Sequence, residues 1–464
     1  MLHVMFTSCE PLAERQLLTS QGHVNKIRVR RAFSPGFIAD LTPSGAIDCY
    51  IPLPREGEQL MAAVHNLYDR ILRGVAGPSD TAGIRIRATY APAAGDGSKI
   101  YPPTFPVKSG DWKRYLVEKR FTATDGPQAA VARQTVLTDS IQSQGNRWEE
   151  AVQEAIDAGE LSIPVLDLVF DFDGHQHHIT NLVAPHRSVD AYFRDAERDG
   201  TAWETTELGQ SVIRATPRTA RPLFRQVPTD LILGHWDSQR GTQRARKVAR
   251  AYTSEMFGLD PQLGRSAAVR VDPFEISSAI KVAVPKGGKP ADWELVGESK
   301  TGTRPSEVNL GNTVSTDEAD KRSWVGTAVS SVERVAFISF AALQRFSFPE
   351  TGAAPDRAVD AAGRAVLAAL ALYGDRRAFA GAGLFLRSGC DLVLTQEQVG
   401  FVALGNHLDA VDVNESLARE LVQHAVAQAA QHGLSFGESI SLLPKKKLRD
   451  LVEQSMARAS IGDD

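Results

Sequence analysis

The chain has 464 residues, 42% of them hydrophobic and 23% charged, with 52 basic against 56 acidic side chains and a formal net charge of −4. These are ordinary globular proportions at a length beyond one simple core, so two or three compact units, or one domain with large insertions, are expected, and a fibrous or disordered chain is excluded. Three cysteines (Cys9, Cys49, Cys390) without any CxxC spacing exclude a disulfide framework and a zinc knuckle and fit a reducing, cytoplasmic setting.

The opening residues MLHVMFTSCEPLAER lack a basic start followed by a long apolar run, so no signal peptide is expected, and no apolar run reaches membrane-spanning length. Lys26–Arg31 (KIRVRR) alternates charged and branched side chains and predicts a strand with one basic face. Leu60, Val64, Leu67, Tyr68, Ile71 and Leu72 recur at helical spacing, with Gly77 and Pro78 as the stop. Residues 91–110 read as a Pro/Gly-rich loop, and Tyr115–Arg120 as extended. Trp148, Ala151, Val152, Ala155 and Ile156 predict a helix over Asn146–Ala158. A hairpin follows: Leu166–Phe172 alternates, Asp173–Gly174 is a favoured two-residue turn, and His175–Val183 returns. Leu231–Gly241 (LILGHWDSQRG) reads as a strand entering a turn.

Residues 284–325 are polar and rich in Gly, Pro, Lys and Ser, and they interrupt two apolar runs. They read either as an arm inserted into a sheet or as a disordered surface insertion. This divides the chain into 1–283, the arm at 284–325, and 326–464. The last third turns helical: Arg357–Tyr373 is Ala-rich, Asn414 caps Glu415–His432 with Gly433 at the exit, and Pro444 begins a final amphipathic helix whose first turn holds Lys445, Lys446 and Lys447. The pattern as a whole is α+β.

Charge is concentrated between Arg214 and Arg250, where nine basic residues (Arg214, Arg218, Arg221, Arg225, Arg240, Arg244, Arg246, Lys247, Arg250) meet two acids, Asp230 and Asp237. Such a band can hold a polyanion, phosphate chains above all; the alternative is a solvated face with scattered ion pairs. Trp236 and Phe224 are interleaved with it, and arginine for phosphate with an aromatic for base stacking is a single-strand recipe. A second constellation, Asp139–Glu150 (DSIQSQGNRWEE), places Ser140, Gln142, Ser143, Asn146 and Arg147 before and at a helix start, where they could hold a phosphate or sugar edge or could simply cap the helix. A third, His175, His177, His178 and His186 with Asp171 and Asp173, invites a metal reading. Hairpin alternation, however, puts His175 and His177 on one face and His178 on the other, so no metal is expected. His186 and Arg187 read as a loop contact to a polyanion or as a structural corner. His235, Asp237 and Ser238 are too close in sequence to converge as a nucleophilic triad, and His235 and Ser238 read instead as backbone contacts to RNA. There is no GxxxxGK[ST] loop, GxGxxG turn, HExxH or kinase loop, so no nucleotide cofactor is expected.

Eight blocks in order, KIYPPTFP (Lys99–Pro106), DSIQSQGNR (Asp139–Arg147), HHITNLVAPHRSVDAY (His177–Tyr192), ATPR (Ala215–Arg218), PTDLILGHWDSQRG (Pro228–Gly241), SEMFGLDP (Ser254–Pro261), PSEVNLGN (Pro305–Asn312) and LRSGCDLV (Leu386–Val393), carry a resemblance. The chain resembles the backbone subunit (Cas-seven type, RAMP superfamily) of type I CRISPR surveillance, or Cascade, complexes, in the divergent form of type I-G systems. The resemblance implies a modified RRM-like, ferredoxin-type core with inserted finger and thumb elements, to which the helical C-terminal part read above is added; the polarity and position of the arm at 284–325 assign it to the thumb. It implies a non-catalytic subunit, without cofactor, that stacks with other copies of itself along a CRISPR RNA. Guide bases are left free for target DNA, and the other Cascade subunits and a recruited helicase-nuclease are partners. The RNA contacts expected are Ser140, Gln142, Ser143, Asn146, Arg147, His186, Arg187, Arg214, Arg218, Arg221, His235, Ser238, Arg240, Arg244, Arg246 and Lys247. They grip phosphate and sugar, because guide sequences differ. The competing reading is a RAMP-class endoribonuclease using His175, His177, His178 or His235, and a third is a scaffold whose basic band binds acidic protein surfaces.

Overall fold

A computed structural model gives the fold. It describes residues 56–105, 115–122, 131–172, 174–237, 246–265 and 324–459, with short pieces within the first 52 residues and between 273 and 310. The chain divides into two units, Met1–Asn66 and Leu67–Asp464. In the first unit Gln16–Leu18 pairs antiparallel with Val24–Lys26, and Ile47–Pro52 pairs with Val29–Ala32 in parallel and with Ala39–Leu41 antiparallel. Lys26–Arg31, expected as one strand, is divided between Val24–Lys26 and Val29–Ala32, and residues 27–28 lie outside the described set. The helix Glu56–Ala76 follows, and Val64, Leu67, Tyr68, Ile71 and Val75 are buried on it, as the periodicity requires.

The second unit is built on five antiparallel strands and two helices. The strands are β1 (Thr81–Pro92), β2 (Val131–Asp139), β3 (Tyr252–Leu259), β4 (Val332–Ser339) and β5 (Cys390–Ala403); the helices are α1 (Ile141–Asp157) and α2 (Arg357–Phe379). Their spatial order is β5-β1-β4-β3-β2, with Gly383–Arg387 beyond β5 and Val117–Thr122 beyond β2. Omitting β2, the chain runs β1, α1, β3, β4, α2, β5. This is the β-α-β-β-α-β order of the ferredoxin-like fold, with the first strand, β1, lying between the last strand, β5, and β4. The expected RRM-like core is therefore present.

Alternation fixes which face is covered. Ile84, Ile86, Ala88 and Tyr90 of β1 and Val332, Ala336 and Ile338 of β4 are buried, while Arg85, Arg87 and Thr89 alternate to the other side. Helix α2 is buried nearly all round, which its small Ala side chains permit. Trp148 of α1 lies over Gly374 and donates Nε1–H to Ala371 O at 3.0 Å, and on another side Phe348 and Leu434 close over Gly363. Glu415–Gln431 is capped as predicted, with Asn414 Oδ1 accepting from Leu417 N at 2.8 Å.

A second sheet joins early and late chain. The hairpin Leu166–Phe172/His175–Thr180 has the predicted register, and Ile440–Pro444 pairs with Leu166–Phe172 in parallel. Pro444 thus ends a strand instead of starting a helix, which opens at Lys446. Helix α1 begins five residues before the expected Asn146, because Ser140 caps it. Strand β1 runs into the Pro/Gly-rich segment as far as Pro92. Leu231–Leu233, expected as strand, is the end of a helix, Pro228–Leu233: Pro228 occupies the first turn, where no N–H is needed, and Gly234 at φ 74° stops it.

Between β3 and β4 the chain continues as a two-stranded ribbon, Gln262–Arg265 against Trp324–Ala328. Its root is held to the core by a bridge between Ile100 and Thr327 and by Tyr115, whose hydroxyl accepts from Gly326 N at 2.7 Å. Farther out, Lys281–Ala283 pairs with Glu294–Gly297. Only parts of the expected arm, 284–325, fall among the described residues, and they belong to this insertion. No helix among the described residues is long and apolar enough to cross a membrane.

Candidate nucleic-acid interface

Strand β2 delivers Asp139 to the start of α1, opposite a bulge between Met256 and Phe257 in β3. Its carboxylate is fully buried and accepts from Gln144 Nε2 (2.6 Å), Arg147 Nε (2.9 Å) and Arg387 Nη2 (3.2 Å). Arg147 also donates to the Phe385 and Leu386 carbonyls at 3.3 and 2.8 Å. Its guanidinium therefore ties α1 to the strand Gly383–Arg387. Ser140 is the cap, with Oγ accepting from Ser143 N at 3.2 Å. Gln142 and Asn146 are exposed, and Ser140 and Ser143 partly so.

The loop after the hairpin is folded by its own polar side chains. Asp190 accepts from Tyr192 N and His186 N, both at 3.0 Å, and Asn181 accepts from Leu166 N at 2.9 Å. Arg187 sits at φ 56°, a left-handed conformation costly for a non-glycine residue. It donates to both oxygens of Glu149 on α1, at 2.6 and 2.9 Å, and to Gly234 O at 3.1 Å. Burial pushes the Glu149 carboxyl up to about 7, although the Arg187 hydrogen bonds and charge pull the other way. Ser188 Oγ donates to the fully buried Asp230, which also lies 2.9 Å from His235 Nδ1.

These contacts bring three segments far apart in sequence to one place: the start of α1, the loop at 186–190, and the described parts of the third, 230–237 and 246–250. Arg250 completes the junction by donating to Ile141 O at 3.3 Å. Around it His186 and Lys247 are exposed, and Trp236, 63% exposed, pairs across the short ladder with Lys247. Arg147, Arg187 and His235 are drawn inward and hold the junction together.

The basic band does not stay together in space. Arg214 is exposed at the end of the helix Glu207–Arg214. Arg221 donates to Phe348 O and Gly433 O, both at 3.0 Å, and pairs with Glu350 at 2.7 Å. Arg218 is exposed within electrostatic reach of Arg364. Arg218 and Arg221 thus meet α2 and the segments beside it, whereas Ile213 and Ala215, which flank Arg214, line a pocket with Ser188, His235 and Asp237. Phe224, expected as a stacking aromatic, is 1% exposed and packs against Phe348 and Phe436. Ser238, Arg240 and Arg244 lie outside the described residues, as does the side chain of Arg246, whose backbone pairs with Asp237. His178 Nδ1 is 2.8 Å from Asp167, and the His177 ring is 5.7 Å from that of Phe172. Among the described residues no group of three or more His, Cys, Asp or Glu is placed to hold a metal ion.

Residues 84–262 match the family model described as CRISPR-associated protein GSU0053. Over that stretch, less than half of the chain, it is similar to that CRISPR-associated family. The matched span begins in β1, ends just past β3, and contains all three segments of the junction. Neither a curated protein nor a solved structure matches the chain. Glu149, Asp230, Arg250 and Arg387, which build the junction, were not among the expected contacts. Glu149 and Asp230 carry a sequence signal only as acids within otherwise buried helical stretches, and the role of Arg387 depends on a strand pairing that its local sequence does not reveal.

Proposed function

We propose that the chain is an RNA-binding backbone subunit of a type I CRISPR effector, of the I-G form, working in the cytoplasm. In this reading it holds CRISPR RNA without cutting it. It lines up with further copies of itself and with other Cascade subunits, and it leaves the guide bases free to pair with target DNA before a helicase-nuclease is recruited. The observation that carries the reading is the family match over the same residues that converge at the start of α1. Their exposed groups, Gln142, Asn146, His186, Trp236 and Lys247, are hydrogen-bonders, one aromatic and one cation, a set suited to sugar, phosphate and a base face without sequence choice.

Incubation of the purified protein with labelled CRISPR RNA tests it. The expected result is intact RNA retained in complexes whose size steps up with RNA length. Cleavage that depends on His175, His177, His178 or His235 would favour the endoribonuclease reading instead. Absence of RNA affinity at low salt would leave a protein scaffold.

A further inference from the structure

Arg250 is held unlike the other arginines of the junction. Arg147 and Arg187 each have a carboxylate partner, whereas Arg250 has a single 3.3 Å hydrogen bond to a backbone carbonyl, Ile141 O. It is only partly exposed, and burial together with the charge of Arg187 lowers its pKa, with Glu149 opposing. Gly145 separates the two guanidiniums: a Cβ there would lie 3.7 Å from Arg187 Nη2 and 3.9 Å from Arg250 Nη1. Glu149 is already engaged in a two-point contact with Arg187, and Asp230 is taken up by Ser188 and His235. A guanidinium has five N–H donors in a planar fork, and desolvating it beside another cation is unfavourable unless an anion arrives.

We propose that Arg250, with Arg187 beside it across Gly145, binds one phosphodiester of a single-stranded RNA, and that Glu149 is the internal competitor for the Arg187 fork. The inference rests on the RNA-holding reading above and adds to it a specific anion site and a residue that restrains it. Phosphate suits the pair because its oxygens can accept from both forks at once. With no side chain at Gly145, nothing of α1 stands between the two guanidiniums at that position.

The test is binding of two labelled single-stranded RNAs of unrelated sequence across a salt series, with wild type, Arg250→Met, Arg250→Lys and Glu149→Gln, each checked by thermal melting. Losing a charge-assisted contact predicts about tenfold to hundredfold weaker binding for Arg250→Met, equal for both RNAs. The slope of log affinity against log salt should be shallower by about 0.7, the share of one single-strand phosphate. Arg250→Lys should fall between, keeping the charge and losing the fork. Glu149→Gln should bind more tightly than wild type. If wild type binds RNA and Arg250→Met binds with the same affinity and slope, the phosphate site is wrong and the RNA-holding reading stands. If wild type binds neither RNA, both fail. Should Arg250→Met not fold, wild-type affinity in both Arg250→Lys and Glu149→Gln overturns the inference.

Discussion

Arg334 of β4 and Asp375 of α2 form an ion pair from which water is wholly excluded. The Arg334 guanidinium also donates to Ser254 Oγ at 3.0 Å and Tyr252 Oη at 3.1 Å and lies 3.8 Å above the Phe379 ring. Asp375 further accepts from Arg376, which reaches Glu397 of β5 at 2.5 Å. One polar chain thus runs through the middle of the sheet and joins β3, β4, β5 and α2. Removing one partner leaves an uncompensated buried charge. Arg334→Met or Asp375→Asn should each cost about 3–5 kcal/mol in urea unfolding, and the double variant much less than the sum. Additive losses would show that the pair is not coupled.

Gly374 is a helix-interior glycine whose replacement goes against propensity. In an open helix Gly→Ala stabilises by about 1 kcal/mol. Here the new methyl would fall on the Trp148 ring, so Gly374→Ala should instead destabilise by about 1–3 kcal/mol. A melting temperature at or above that of wild type would contradict the packing described for α1 and α2.

Glu149 makes a pH dependence that can be isolated. Its carboxyl, near 4.5 in an unfolded chain, is raised to about 7 in the fold. Between these values the native state binds a proton that the unfolded state lacks, so this residue's contribution to stability falls as pH rises from about 5 to 7 and is level above. The stability of wild type relative to Glu149→Gln should therefore drop by on the order of 3 kcal/mol between pH 5 and pH 8. Denaturant titrations at both pH values measure it, and a constant difference would refute the raised carboxyl.

Trp236 and Lys247 face solvent side by side on their short ladder. Trp236→Ala should weaken RNA binding by about 1–3 kcal/mol, the value of one stacked base. Lys247→Glu should weaken it similarly for unrelated guides and flatten the salt dependence. Loss confined to particular sequences would point to base reading instead of backbone grip.

The insertion between β3 and β4 should be separable from the core. Replacing 266–323 by a short Gly/Ser turn keeps Gln262–Arg265 paired with Trp324–Ala328 and leaves the Ile100–Thr327 bridge. The shortened chain should unfold cooperatively near the wild-type temperature while failing to assemble along RNA. Collapse of cooperative unfolding would make the insertion part of the core.

What could be read from the chain alone follows physical range. The hairpin at Leu166–Thr180 and the helix at Glu415–Gln431 were legible because alternation, a two-residue turn and an Asn cap are local signals. Helix α1 starts earlier than its apolar periodicity, which begins at Trp148, because the first turn after the Ser140 cap is largely polar. Pro228–Leu233 was misread because a short buried apolar run has the same composition in either state. The basic band looked continuous because spacing along the chain says nothing about the turn at Pro228, beyond which its two halves meet different partners. Arg147 and Arg187 illustrate the same limit: an arginine's sequence neighbours do not show that Asp139 or Glu149 will claim it.

The sheet order has a consequence for how the molecule comes to exist. Strand β1 lies between β4 and β5, with Pro92 facing Leu392, so the slab cannot close until β5, late in the sequence, has left the ribosome. Loop closure over that span is slow, and an unpaired β1 edge waits exposed through much of synthesis. Nascent chains truncated before β5 should therefore stay protease-sensitive and prone to clump, and maturation should proceed in one late step.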